Sequence, residues 1–207
     1  TTETMQGTRA LEEKYNLEDA LVIAGFLNGF IRNADIVKMA NMAQLVNVIA
    51  PVFAEDKGMF RQTIYFPLEL FARNMRGKSL DLLVDCPGYN TDEFYLGLGE
   101  SRAKLSNVPY LDVSATYNND EVVICVVNRH KDNAIRTDIV CQSGEFADVL
   151  RISEINAADL KATNDFGVEN VKTVQKPDLK TKGNTVTYSF PAHSLTMLHG
   201  KILLYGR

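Results

Sequence analysis

The sequence has no tryptophan, only three histidines and only three cysteines in 207 residues. The missing tryptophan weighs against a dedicated sugar-binding module, which usually presents flat aromatic platforms. Cys86, Cys125 and Cys141 are an odd number with no CxxC pair. A disulfide framework is therefore not expected, and a reducing, cytoplasmic setting is the simpler reading. His130, His193 and His199 are far apart, and no HxxxH or HExxH occurs, so no metal site is expected. The glycine-rich nucleotide signatures and the GxSxG nucleophile elbow are also absent, which leaves no cofactor to expect. No apolar run reaches the length of a membrane span, and the first residues lack the apolar centre of a signal peptide. There is no initiator methionine, which suggests a piece of a longer protein. Acidic residues (26) outnumber basic ones (22), giving a net charge of −4. No strongly basic face is expected, and nucleic acid is an improbable partner.

What is present is an ordinary globular mixture, 45% hydrophobic and 23% charged. Its character changes part-way along. Asn16 can cap a helix, with Glu18 and Asp19 in the first turn and Ala20, Ala24, Leu27 and Ile31 at helical spacing up to Asn33. Ile36 to Ala40 reads as a short buried strand of the parallel type. Residues 60–76 read as a second helix, with Pro67 near its start and Gly77 just past its end. Helix, strand, helix is the pattern of a parallel α/β unit.

The remainder reads as strands. Leu80–Asp85 is one, and Pro87-Gly88 is a turn pair. Tyr110–Tyr117 and Glu121–Asn128 flank Asn118-Asn119-Asp120 and predict a hairpin. Ala134–Cys141, Ala147–Ile155, Thr185–Phe190 and Leu195–Tyr205 follow, while 156–183 reads as a long polar loop with a short strand around Val168–Val174. Strands this short and frequent predict an antiparallel sandwich.

Three groups of residues then point to a family. They are Tyr15-Asn16-Leu17-Glu18-Asp19-Ala20-Leu21; the run from Ala43 through Gln44, Asn47 and Ala50 to Pro51, followed by Arg61-Gln62-Thr63-Ile64-Tyr65-Phe66-Pro67; and Val108-Pro109-Tyr110-Leu111-Asp112 with Val126-Val127-Asn128-Arg129 and Pro191-Ala192-His193-Ser194. In this order and spacing they resemble the C-terminal half of glycoside hydrolase family 51, the α-L-arabinofuranosidases. The resemblance covers essentially the whole chain and implies a mainly β protein. It would consist of the last helix-strand-helix elements of a (β/α)8 barrel (1–77) followed by an antiparallel β-sandwich of jelly-roll type (78–207). Residues 16–33 would be the helix after barrel strand 7, residues 36–41 strand 8, and 60–76 the last helix.

The resemblance also implies an activity: removal of terminal α-L-arabinofuranosyl groups from arabinose-containing oligosaccharides with net retention. Such chemistry needs two carboxylates about 5–5.5 Å apart. The family carries its acid/base and nucleophile glutamates in motifs that do not occur in this sequence, so no catalytic residue is nominated. Glu12, Glu13, Glu18 and Asp19 read as solvated helix-start residues. By resemblance, Gln44 lies at the C-terminal rim of the barrel, where active sites are built, and its amide contacts the bound sugar. Leu11 lines the same pocket. Asn41 and Asn47 read as loop-shaping residues, the cysteines as small core residues, and Tyr15, Tyr65 and Tyr89 as packing residues. The implied partners are the rest of the barrel and further copies in a homo-oligomer. The alternative reading is a non-catalytic carbohydrate-binding or assembly module of sandwich type, since fold does not fix function.

Overall fold

Eight residues of Glu121–Asn128 are nearly all apolar, and seven of them are buried. A strand buried on both faces must lie inside a sheet with a layer on each side. The computed structural model describes residues 3–4, 12–95 and 102–206 and places this strand accordingly. The main elements are α1 (Leu17–Arg32), β1 (Val52–Glu55), β2 (Gly58–Arg61), α2 (Tyr65–Asn74), β3 (Lys78–Ser79), β4 (Leu111–Asn118), β5 (Glu121–Asn128), β6 (Ile135–Val140), β7 (Gly144–Ile155), β8 (Thr173–Lys180), β9 (Thr185–Phe190) and β10 (Ser194–Leu204). Six of these form one antiparallel sheet in the order β8-β7-β10-β5-β4-β3, and β6 pairs with β9 in a separate ribbon.

Alternation along β5 divides the core. Val123, Cys125 and Val127 join Leu195 and Met197 of β10 and the buried faces of α1 and α2. Val122, Ile124 and Val126 face the other way, toward Leu198, Ile202 and the ribbon residues Val186 and Phe190. The molecule is thus mainly β with two helices on one face of the sheet. Among the described residues, the layer on the other face contains the two-stranded ribbon. Also among the described residues, no helix is long and apolar enough to cross a membrane.

The first helix follows its sequence signals. Asn16 Oδ1 accepts from the Asp19 N–H at 3.2 Å, and Asp19 Oδ2 accepts from the Asn16 N–H at 2.8 Å. This capping box satisfies two donors that the helix cannot. Leu17, Ala20, Ala24 and Asn28 are buried, and the helix ends at Asn33, whose N–H donates to the Gly29 carbonyl. The hairpin β4–β5 also forms as its sequence predicts, with Asn118 opposite Glu121. Asn119 (φ 50°) and Asp120 (φ 67°) supply the two left-handed residues of a tight turn.

Five expectations need correction. Residues 37–42 form no strand, and Ile36 and Met39 are 74% and 78% exposed. A parallel strand needs neighbours in a ladder, and no described strand lies beside this segment. Residues 58–61 belong to the β1–β2 hairpin, so the second helix starts at Tyr65 rather than 60. Pro67 does sit in its first turn, where a missing N–H costs nothing.

The expected strand Leu80–Asp85 does not form; only Lys78–Ser79, just before it, pairs with β4. After the Leu80 N–H donates to the Ala115 carbonyl, the chain leaves the ladder at the sheet edge, while Leu80, Leu82 and Cys86 still pack on the core. Pro87-Gly88 is not a turn, because Gly88–Tyr89 pairs with Val108–Pro109. The glycine serves close approach instead: a Cβ there would lie 2.7 Å from Asn107 Oδ1. Finally, the polar 156–183 region contains the full edge strand β8, and Val168–Glu169 pairs with Asn164–Asp165 in a separate short hairpin.

Candidate functional site

The loop 41–51 is built from three directions. Asn47, held at φ 60°, pairs with Ala54 as a strand would: Ala54 N–H donates to Asn47 Oδ1 at 2.7 Å and Asn47 Nδ2 donates to the Ala54 carbonyl at 3.0 Å. Gln62 is buried beneath it. Its Oε1 accepts from the Tyr15 N–H at 3.0 Å, and its Nε2 donates to the carbonyls of Glu13 and Ala50, each at 3.0 Å. From the third side the Tyr15 hydroxyl donates to the Ile49 carbonyl at 2.9 Å, and the Glu13 N–H donates to Val48 O at 2.8 Å. Burial, then the nearby Glu13 and Asp19 charges, push the Tyr15 phenol up, so it stays a donor.

These anchors hold an outer turn that is backbone-strained and exposed. Val48 sits at φ 59°, a region costly to a β-branched residue, and Gln44 at φ 61°. Gln44 is exposed, and its Oε1 accepts a long hydrogen bond from the Ile49 N–H at 3.4 Å. Its neighbours Leu45 and Val46 are exposed as well. Leu11 lies outside the described residues. Asn47 is loop-shaping, as its sequence context predicts. Tyr65 packs on the helix-side core, and Tyr89 stacks on Tyr110 with ring centroids 5.0 Å apart.

The acidic residues near the start divide. Asp19 closes the capping box, and Glu18 in the same turn pairs with Lys161. Glu12 and Glu13 are not helix-start residues; they precede α1 and are half-buried, Glu13 in a short ladder with Thr4. All three cysteines are free thiols, with Cys125 fully buried in β5. Burial and then the Asp112 charge push the Cys125 thiol well up, so it is an inert core group. Among the described residues, no cluster of histidine, cysteine and carboxylate side chains suits a metal ion.

A second polar centre has no counterpart in the sequence reading. Asp112 opens β4 with a side chain only 2% exposed, between the guanidinium groups of Arg32 and Arg129. Asn28 on α1 donates to the Asp112 carbonyl at 3.0 Å, and the Ser114 hydroxyl donates to Asn28 Oδ1 at 2.6 Å. Arg32 and Arg129 also donate to the Val113 and Pro109 carbonyls, at 2.9 and 3.0 Å. The network ties the C-terminal half of α1 to the sheet. Its residues were visible in the Tyr110-Leu111-Asp112 and Asn128-Arg129 stretches, but nothing local says that they meet.

The six-stranded antiparallel sheet with two helices on one face matches the fold of a region of known arabinofuranosidases. The structure of the Thermotoga maritima α-L-arabinofuranosidase in complex with arabinose superposes with a TM-score of 0.83 at 23% identity, covering 96% of this chain and 41% of that one. At that identity the likeness concerns the fold alone.

The sequence comparisons go further. The model of the α-L-arabinofuranosidase C-terminal domain matches residues 2–194. The probable α-L-arabinofuranosidase C of Aspergillus niger is 35% identical over 202 residues, 95% of this chain. The intracellular exo-α-(1→5)-L-arabinofuranosidase 1 of Bacillus subtilis is 32% identical over 194 residues, 92% of this chain. The chain belongs to the C-terminal domain family of the α-L-arabinofuranosidases, in glycoside hydrolase family 51. It spans 37% and 36% of the lengths of these two relatives.

Proposed function

We propose that this chain is the C-terminal portion of a retaining, exo-acting α-L-arabinofuranosidase that releases terminal α-L-arabinofuranosyl residues from arabinose-containing oligosaccharides. The observation that carries the reading is the 35% identity to a probable α-L-arabinofuranosidase C across 95% of the chain. In this reading residues 1–77 complete a (β/α)8 barrel, and 78–207 form a jelly-roll sandwich beside it. The two catalytic carboxylates reside elsewhere in the enzyme, which is cytoplasmic and homo-oligomeric.

Exposed apolar side chains support it. Phe26 on the outer side of α1 is 59% exposed, and Val22, Ile36, Met39, Leu45 and Ile49 are exposed with it. Exposed apolar side chains in such number suit a surface that another body covers. The remaining barrel would cover it and would bring the 41–51 loop to the rim where substrate binds. Gln44 and Leu11 would contact the arabinofuranose there. An amide both donates to and accepts from sugar hydroxyls, and its long internal bond to Ile49 is easily exchanged for a ligand.

Two measurements test this. The isolated chain should show no turnover of an aryl α-L-arabinofuranoside, because positioned acid and nucleophile supply most of the rate. A chimera in which this chain replaces the matching segment of the Bacillus subtilis relative should hydrolyse the same substrate. A folded chimera without activity, or turnover by the isolated chain, removes the reading. In an active chimera, Gln44→Ala should lower kcat/KM by about 5- to 150-fold, the equivalent of roughly 1–3 kcal/mol for one lost hydrogen bond to a buried partner. Lowered thermal stability with unchanged kinetics would instead make Gln44 a structural amide.

A further inference from the structure

The helix-facing side of the sheet changes character along its strands. Ile155 on β7 and Leu195 on β10 lie opposite each other and are fully buried. Two residues on, the facing pair is Ser153 and Met197, and two further it is Arg151 and His199. Gln175 on the edge strand β8 lies opposite Ser153. Here α2 does not seal the sheet, and a groove of about 390 Å³ opens between these residues and Glu69, Arg73 and Asn74. That volume falls in the roughly 300–1,000 Å³ range of small-ligand sites.

Most polar groups of the groove have local partners. Arg73 pairs with Glu69 at 2.8 Å, and Ser153 and Gln175 exchange hydrogen bonds at 3.2 and 2.9 Å. Arg151 is different. Its polar contact is with His199 Nδ1 at 3.5 Å, and it has no carboxylate partner among the described residues. The other ring nitrogen, His199 Nε2, is screened from solvent and lies 3.5 Å from Glu121, too far for a well-formed hydrogen bond. The Thr173 hydroxyl at the same wall is buried without a hydrogen-bond partner. A guanidinium carries five donors in a fork that matches a carboxylate.

We propose that this groove binds a uronic acid unit, a sugar whose ring carries a carboxylate, with Arg151 holding the carboxylate. Ser153, Gln175 and Asn74 supply both donors and acceptors, which suits ring hydroxyls, whereas a bare oxyanion needs donors alone. Glu69 at the wall, with Glu121 3.5 Å from the lining residue His199, repels a dianion such as phosphate more than a single carboxylate. The groove shares no lining residue with the arabinoside site proposed above, and its test needs no catalytic activity.

Titrating the 207-residue chain with glucuronate, glucose and inorganic phosphate, while following backbone amide NMR signals, tests it. Glucuronate should shift Arg151, Ser153, Gln175 and His199 saturably, and glucose, the same ring without the carboxylate, should not. Arg151→Gln should weaken glucuronate binding by about tenfold or more, the equivalent of ~1.4 kcal/mol. Arg136→Gln, which removes an equal charge on β6, should leave binding unchanged. Equal binding of glucose, tighter binding of phosphate, absence of saturable shifts, or equal weakening by Arg136→Gln would each overturn the assignment.

Discussion

The β5 strand and the segment 36–49 are both rich in apolar residues, yet the folded chain treats them oppositely. In β5 every apolar side chain from Val122 to Val127 is buried, because partners lie on both edges and both faces. In the segment, Ile36, Met39, Leu45 and Ile49 are exposed, and the backbone bonds at its two ends are turn and loop contacts instead of a ladder. Apolar composition creates the demand for burial, but ladder partners decide whether a strand forms. The helix-facing layer is locked by geometry that is internal to the chain; the exposed segment looks outward.

The largest expected effect contrasts the exposed segment with the strand β10, which pairs with β5. Leu198, fully buried at the centre of β10, should cost roughly 2–5 kcal/mol when cut to alanine, from lost transfer energy plus a cavity. Met39→Ala in the exposed segment should stay within about 0.5 kcal/mol. Urea unfolding of the isolated chain, with unchanged slope, measures both. Comparable losses at the two sites would show that the segment is already covered in solution.

The same contrast explains what was legible in the sequence. The capping box at Asn16, the two-residue turn at Asn119-Asp120 and the β-branched run of β5 are local signals, and each element stands where it reads. The run at 36–40 carries the same apolar signal as a buried strand, but no local pattern reports on ladder partners. Edge strand β8 was hidden for the opposite reason. Its residues Gln175, Lys176, Pro177 and Asp178 resemble a loop, because charge and proline guard an exposed edge against further pairing. The buried amides of Gln62 and Asn164 and the Asp112 centre were not legible at all: Asn28 and Asp112, for example, are 84 residues apart. Gln44 is nominated by its motif alone; in the folded chain it is exposed, with one long hydrogen bond to Ile49.

Asp112→Asn should come next in size. Removing one charge from a buried ionic centre commonly costs several kcal/mol. Arg32 and Arg129 are partly exposed and can regain water, which reduces the expected loss to about 1–3 kcal/mol. The loss should be non-additive with Arg32→Gln in a double-mutant cycle, since both act on one network. Additive losses would mean that Asp112 and Arg32 stabilise the α1–sheet contact independently.

The smallest effect lies where the hairpin at 164–169 meets the segment before α1. The Asp165 carboxyl is held below its usual range, chiefly by the Phe166 N–H, which donates to it at 2.8 Å, and further by Lys14 at 3.3 Å, against a smaller opposing effect of burial. A folded-state pKa below the unfolded one, about 3.9, means that the unfolded chain binds the proton more readily. The contribution of Asp165 is therefore fully present above about pH 4 and is lost as pH falls through the lower folded value. With the side chain 53% exposed, screening keeps it small, below about 1 kcal/mol. Asp165→Ala should thus lower stability at pH 7 by a few tenths of a kcal/mol, and the difference from the parent chain should shrink near pH 2.5. Salt at about 1 M should weaken the Lys14 part and spare the Phe166 part, because only the former acts between separated charges. A difference that persists unchanged to low pH would show that Asp165 acts through backbone geometry rather than through its charge.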